Sequence, residues 1–266
     1  MDNQSVSQAL LDIYHRLMAR YGPQHWWPAQ EPFEIIIGAI LTQSAAWRNV
    51  EKAITNLKAA RALSPKTLRC LSLSEVAALI HPCGYYNAKA LKLKSLASWL
   101  GKYYDDNLNK LFIGNTDHLR QQLLSIHGIG QETTDSIILY AAHKPVFVID
   151  AYTRRIINRI GLAPDSNSYI AYQALFMDNL PTDTELFNEY HAYWSVWLRM
   201  SAATAPFASN VASTVFAASM RWLSNPIFFS REDRVPSLTM SFSMPMLRLL
   251  ASKILYPPRE PFWRTT

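Results

Sequence analysis

The stretch Leu123 to Asp150, LLSIHGIGQETTDSIILYAAHKPVFVID, constrains this chain more than any other. It reads as a helix end, a glycine hairpin, a second helix, a short β-branched run and one acid. In His127-Gly128-Ile129-Gly130 the glycines alternate with a bulky residue, which lets the backbone turn sharply and come close to a partner. Gln131 to Ala142 is then expected as a helix, because Ile137, Ile138, Ala141 and Ala142 recur at helical spacing. A helix that begins straight after such a turn leaves backbone N–H groups pointing outward, with the positive dipole end behind them. That is a ready phosphate site, supplied by Gly128, Ile129 and Gly130. The competing reading of the two glycines is a turn that only joins helices.

The same residues resemble a family. L-x-x-I-x-G-I-G-x-x-T, followed by V-x-V-I-D ending at Asp150, is similar to the helix-hairpin-helix, Gly/Pro-rich loop and Asp of the endonuclease III superfamily of DNA glycosylases. Glycine hairpins alone occur in many non-catalytic DNA-binding modules; the trailing Asp makes the resemblance specific. It implies an enzyme acting on double-stranded DNA that carries a damaged base.

A second segment deepens the resemblance. PFEIIIGAILTQSAAW, from Pro32 to about Trp47, is the most apolar part of the chain and is expected as one central buried helix. It follows the aromatic loop Gln24-His25-Trp26-Trp27-Pro28. W-W-P, then F-E, G-A, L-T-Q and the aromatic Trp47 look like the 3-methyladenine DNA glycosylase III subfamily. In the wider superfamily the glutamine at the place of Gln43 enters the gap left by an extruded base. An enzyme that works on a base inside a duplex must extrude it and hold it in a pocket. A flat alkylated base carries positive charge, and aromatic faces attract cations. Trp26, Trp27 and Trp47 are candidate pocket walls; ordinary packing is the alternative for each.

The chemistry implied is hydrolysis of an N-glycosidic bond. It develops oxocarbenium charge on the sugar, which a carboxylate beside C1′ stabilises while orienting or deprotonating the attacking water. Asp150 is the candidate, and its place before the helix expected over Ala151 to Ile160 also suits an N-cap. Bifunctional relatives add a lysine that forms a Schiff base and cleaves the strand. By the family's pattern that lysine stands where this chain has Glu132, which predicts base removal without strand cleavage. The resemblance also covers His81-Pro82-Cys83-Gly84-Tyr85-Tyr86-Asn87-Ala88-Lys89-Ala90, a turn into a helix reaching about Tyr103. Its Lys89 and Lys92 are either phosphate contacts or solvated helix lysines, and Cys83 is expected as a small buried hydrophobe.

Composition limits the alternatives. The net charge is +6 over 266 residues, but +4 of it lies after residue 200, so the part holding the hairpin is barely basic. Charge alone would not point to nucleic acid. Two cysteines, Cys70 and Cys83, make neither a disulfide framework nor a metal site. The polar start without an apolar run argues against a signal peptide, and no apolar stretch reaches membrane-spanning length. The expectation is a cytoplasmic protein, nucleoid-associated if bacterial, that acts as a monomer and does not enter membranes.

From about Trp194 the text turns rich in Ser, Ala, Met and Phe. Superfamily members often continue past Phe187-Asn188-Glu189-Tyr190-His191-Ala192 with four cysteines that hold an iron–sulfur cluster. Here the cysteines are missing. Codon choices exist whose shifted frame places cysteines across Ser201/Ala202, Phe207/Ala208, Asn210/Val211 and Phe216/Ala217, close to the family's cluster spacing. A frameshift near residue 193 is therefore expected, with a [4Fe-4S] cluster in an unshifted parent. A divergent, membrane-adhering tail is the rival. The chain as it stands has no ligands for a cluster and is expected to hold no metal or other cofactor.

The expected architecture is all-α and two-lobed over residues 1–200, with residues 201–266 as an atypical tail. Residues of about 31–130 form one lobe, and 1–30 with 140–200 the other. DNA and the extruded base occupy the cleft between them.

Overall fold

A computed structural model describes residues 3–29 and 31–203. Among them every regular element is helical: α1 (Asn3–Tyr21), α2 (Pro32–Leu41), α3 (Trp47–Ala59), α4 (Pro65–Cys70), α5 (Leu73–Leu79), a short turn at His81–Cys83, α6 (Tyr86–Tyr104), α7 (Leu108–Phe112), α8 (Thr116–Leu124), α9 (Gln131–Ser136) running into a π turn (Ile137–Ala141), α10 (Ala151–Arg159), α11 (Tyr169–Met177) and α12 (Thr184–Ala203). The expected frameshifted tail, including the candidate positions from Phe207 onward, lies outside the described residues.

Local sequence accounts for many of the boundaries. Ser64 accepts from the Thr67 N–H, and Ser72 with Glu75 forms a reciprocal capping box, so the short helices α4 and α5 begin where orphan N–H groups find side-chain acceptors. α2 is apolar except for Glu34, whose carboxylate meets Lys58 at 2.7 Å, and Phe33 to Leu41 are all buried. A helix with no polar face belongs inside a protein. It packs against α3, α6, α9 and the π turn, and the π turn packs in turn against α12. Two groups of helices thus meet along α2 and the π turn, with α1 and α10 laid against α12.

The expected single helix from Pro32 to about Trp47 is corrected to two. α2 stops at Leu41, Ser44 takes a left-handed φ of 52°, and α3 starts at Trp47. The reason lies elsewhere in the sequence. Lys89 is 2 % exposed, and its Nζ donates to the carbonyls of Leu41 and Cys83 at 2.9 Å each. The cation satisfies a helix-end carbonyl that has no partner within the helix. Lys89 is therefore neither a phosphate contact nor a solvated lysine. Burial among apolar neighbours lowers its pKa. Cys83 is buried as expected, its Sγ 3.4 Å from the Asn49 carbonyl.

The β-branched run Val146 to Ile149 is buried but forms no regular element and pairs with no strand. Its main-chain groups must still be satisfied, and α11 does so from its side chains. Gln173 Nε2 donates to the Phe147 carbonyl at 2.8 Å, and the Ile149 N–H donates to the Tyr169 hydroxyl at 3.2 Å. Phe147 stacks on Phe176 at 3.9 Å between ring centroids. Below the run, the fully buried Asp135 binds Arg120 at 2.7 and 3.1 Å and Gln173 at 2.8 Å. This network ties α8, α9 and α11 together and fixes the approach to Asp150.

Candidate active site

The glycine hairpin joins α8 to α9. Gly128 has a φ of +80°, and a Cβ there would lie 2.4 Å from the Lys92 side chain, so both backbone and space require glycine. Gly130 differs: its φ is −96° and a Cβ would meet nothing within 4 Å. Ile129 corrects part of the expected phosphate site. Its side chain is 5 % exposed and its N–H already donates to the Ile126 carbonyl at 3.1 Å. The exposed residues here are His127 and Gly130 of the hairpin and Glu132 in the first turn of α9. A testable contrast follows. Gly128→Ala is expected to cost at least about 1–2 kcal/mol by chemical denaturation, because an L side chain is forced left-handed against Lys92. Gly130→Ala is expected to leave stability unchanged and to weaken duplex binding measured by fluorescence anisotropy.

Gln43 sits against the hairpin. Its Nε2 donates to Thr133 Oγ1 at 2.9 Å and to the Gly128 carbonyl at 3.3 Å, and its Oε1 accepts from Lys92. Its neighbours Thr42, Ser44, Ala45 and Ala46 line the adjacent cavity while Gln43 lies beside it, a place compatible with the expected role of entering the gap left by an extruded base. Lys92 is half-buried; its Nζ donates to Gln43 and its methylenes lie against Gly128.

The cavity has a volume of about 800 Å³. Trp26, Trp27, Trp47, Glu132 and Asp150 all line it, as do Tyr152 and His191. The three indoles touch one another at 4.6–5.3 Å between ring centroids, and Trp27 also meets Tyr140 at 5.3 Å. They build one continuous aromatic wall rather than a slot with a ring on either side. Gly38 of α2 leaves room for it, since a Cβ there would lie 2.8 Å from the Trp27 ring. The loop bearing the wall is held from α12, where Glu189, 8 % exposed, accepts from the Gln24 and His25 N–H groups at 2.6 and 2.7 Å.

Asp150 faces the wall. One carboxylate oxygen accepts from the Thr153 N–H and hydroxyl, both at 2.7 Å, so the residue does cap α10. The other oxygen lies 3.7 Å from His191 Nε2. Glu132 opens to solvent at the cavity mouth but is crowded by the cleft walls. That desolvation, and next the Asp150 charge, push its carboxyl up to about 7, with Arg154 pulling the other way. The site therefore holds one carboxylate anchored by hydrogen bonds and a second carboxyl that changes charge near neutrality. His191, Tyr140, Tyr152 and Glu189 were not expected from sequence as members of the site. The Asn188-Glu189-Tyr190-His191-Ala192 segment was the available signal for two of them, without any indication of what each touches.

A helical fold with a glycine hairpin, a buried loop and a carboxylate facing an aromatic cavity defines a base-excision glycosylase architecture. The chain belongs to the HhH-GPD superfamily of base excision DNA repair proteins, whose family model matches residues 37–182. It is 41% identical over 189 residues to a putative DNA repair glycosylase of Methanocaldococcus jannaschii, spanning 70% of this chain and 84% of that relative. Endonuclease III of Thermotoga maritima is 26% identical over 150 residues, spanning 56% of this chain and 65% of that protein. Among solved structures, a 3-methyladenine DNA glycosylase of H. pylori bound to 1,N6-ethenoadenine matches with TM-score 0.53 and 25% identity over 84% of this chain and 96% of that one. An endonuclease III–DNA covalent intermediate shares the fold, with TM-score 0.65 at 19% identity over 81% of this chain and 99% of that one. The protein is a DNA glycosylase of base excision repair, with DNA as its substrate.

The family's iron–sulfur cluster does not fit this chain. Four thiolates are required, and the chain has two cysteines. Cys70 is exposed at the end of α4 and Cys83 is buried in the short turn before α6. Among the described residues no group of three His, Cys, Asp or Glu is placed to hold a metal ion.

Proposed function

We propose that the protein is a monofunctional glycosylase, acting as a monomer, that hydrolyses the N-glycosidic bond of an extruded alkylated base such as 3-methyladenine. The observation that carries this reading is the pairing of an aromatic wall with two acidic residues in one cavity of about 800 Å³. Such a volume suits a flipped base. The π faces of Trp26, Trp27 and Trp47 attract the positive charge of an alkylated base, and Asp150 stabilises the oxocarbenium charge that develops as the base leaves. The likeness to the H. pylori 3-methyladenine glycosylase supports the substrate class.

Glu132 supports base removal alone. A carboxyl cannot form a Schiff base with the sugar, and the described residues lining the cavity include no lysine. Phosphate contact at the hairpin falls to Gly130 and the start of α9, with Gln43 beside them to fill the space left by the base. A screen on duplexes carrying 3-methyladenine, 7-methylguanine, thymine glycol and abasic sites tests the reading. Release of methylated bases without strand scission is expected; release of thymine glycol alone, or scission of the abasic strand, would overturn it.

Glu132 adds a pH dependence. It passes from neutral to anionic as pH rises through about 7. The second anion adds to the field of Asp150 at the sugar, so the single-turnover rate of base release is expected to rise through that window. Glu132→Gln is expected to flatten this step. A native inflection retained in the variant would assign the titration to another group.

A further inference from the structure

The segment around His191 is present in the sequence but has no part in the chemistry described above. We propose that His191 is a positioning residue for Asp150, holding the second carboxylate oxygen through Nε2 while Tyr140 fixes which ring nitrogen carries the proton. This rests on Asp150 being the catalytic carboxylate.

The geometry supports it from three sides. First, Asp150 is anchored through one oxygen only: both Thr153 contacts fall on Oδ1, and nothing in that pair restrains rotation of Oδ2. His191 Nε2 is 3.7 Å from Oδ2. Second, Nε2 is buried and makes no hydrogen bond, although the His191 side chain is only 13% exposed. A buried imidazole nitrogen without a partner is costly, and the Asp150 carboxylate oxygen is an acceptor 3.7 Å from it. The separation is a few tenths of an ångström beyond hydrogen-bond reach, and contacts of this kind tighten when substrate closes the site. Third, the other ring nitrogen is held. Tyr140 Oη lies 2.5 Å from Nδ1, and burial keeps the Tyr140 hydroxyl protonated, its pKa raised well above the usual value.

These contacts select one tautomer. An anionic oxygen faces Nε2, so the proton is favoured there, and Nδ1 then accepts from the Tyr140 O–H. Burial also lowers the pKa of His191, with Asp150 opposing the shift, so the ring is a neutral donor rather than a cation. A neutral donor orients the carboxylate without cancelling the negative charge that the sugar needs.

The test reads the charge of Asp150 directly. Affinity is measured for two duplexes, one with a cationic pyrrolidine abasic analogue and one with a neutral tetrahydrofuran analogue. Their affinity ratio reports stabilisation of an oxocarbenium-like cation and does not depend on which base is the natural substrate. His191→Phe keeps ring volume without the donor and is expected to cut the ratio about tenfold or more, leaving tetrahydrofuran binding unchanged. His191→Gln restores an N–H and is expected to recover most of the ratio. Asp150→Asn runs in parallel. If it keeps the cation preference, the reading of Asp150 falls and this inference with it. If it loses the preference while His191→Phe keeps it, this inference alone is overturned. If His191→Phe does not fold, Tyr140→Phe decides: a reduced ratio supports the positioning of Asp150 through His191 and an unchanged ratio overturns it.

Discussion

Asp150→Asn is expected to abolish base release while leaving binding to abasic DNA intact. The carboxylate is the anion that the structure places against the aromatic wall with a hydrogen-bonded anchor. Removing its charge removes electrostatic stabilisation of the oxocarbenium and the acceptor for the proton of the attacking water, a loss on the order of 10²–10⁴-fold in rate. The fold is expected to survive, because an asparagine oxygen still accepts from the Thr153 N–H at the start of α10, and Asn and Asp cap helices about equally well. Single-turnover release of methylated bases, measured beside affinity for an abasic duplex, separates the two effects. Excision at the native rate in a folded Asn variant would exclude Asp150 as the catalytic carboxylate.

The second large effect is expected at Asp135, which touches no part of the cavity. It is fully buried, pairs with Arg120 through two contacts and accepts from Gln173, which also binds the Phe147 carbonyl. Asp135→Ala leaves the Arg120 guanidinium partly buried without its counter-charge, a loss of roughly 3–5 kcal/mol. That is a large share of the about 5–15 kcal/mol that holds a typical domain together. Urea denaturation is expected to show the loss as a lower midpoint. The double variant Arg120→Met with Asp135→Leu is expected to recover much of it, since no buried charge then lacks a partner. A change below about 1 kcal/mol in the single variant would show that the network does not hold the loop.

The main lines of the fold were legible because they are written locally. The hairpin glycines and the start of the apolar run at α2 act within a few residues and appear in the structure at their expected place, and the Ser64 and Ser72 caps are written just as locally. The break after Leu41 was not legible. It depends on Lys89, distant in the chain, whose ammonium takes the Leu41 carbonyl. Nothing in the pattern of either segment announces that contact. The β-branched run before Asp150 shows the same limit. Its residues suit a strand, but side chains of α11 satisfy its backbone, so no ladder forms.

The site divides in the same way. Asp150, Glu132, Gln43 and the three tryptophans were found in sequence because residue type, order and resemblance single them out. The structure gathers all but Gln43 around one cavity. His191 and Tyr140 escaped because their roles arise only where α12 and the π turn meet beside Asp150.

The sequence by itself determined helices, a glycine hairpin and an acid behind it, because helix periodicity, glycine geometry and side-chain chemistry are properties of short segments; the family resemblance added the reading of Glu132 in the place of a lysine. Tertiary structure alone decided that the tryptophans form one wall, that the Ile129 N–H is used inside the turn, and that the cleft walls and the Asp150 charge push the Glu132 carboxyl up. Each of these depends on burial and on charges brought together from distant parts of the chain, and neither burial nor long-range proximity is a property of a segment read alone.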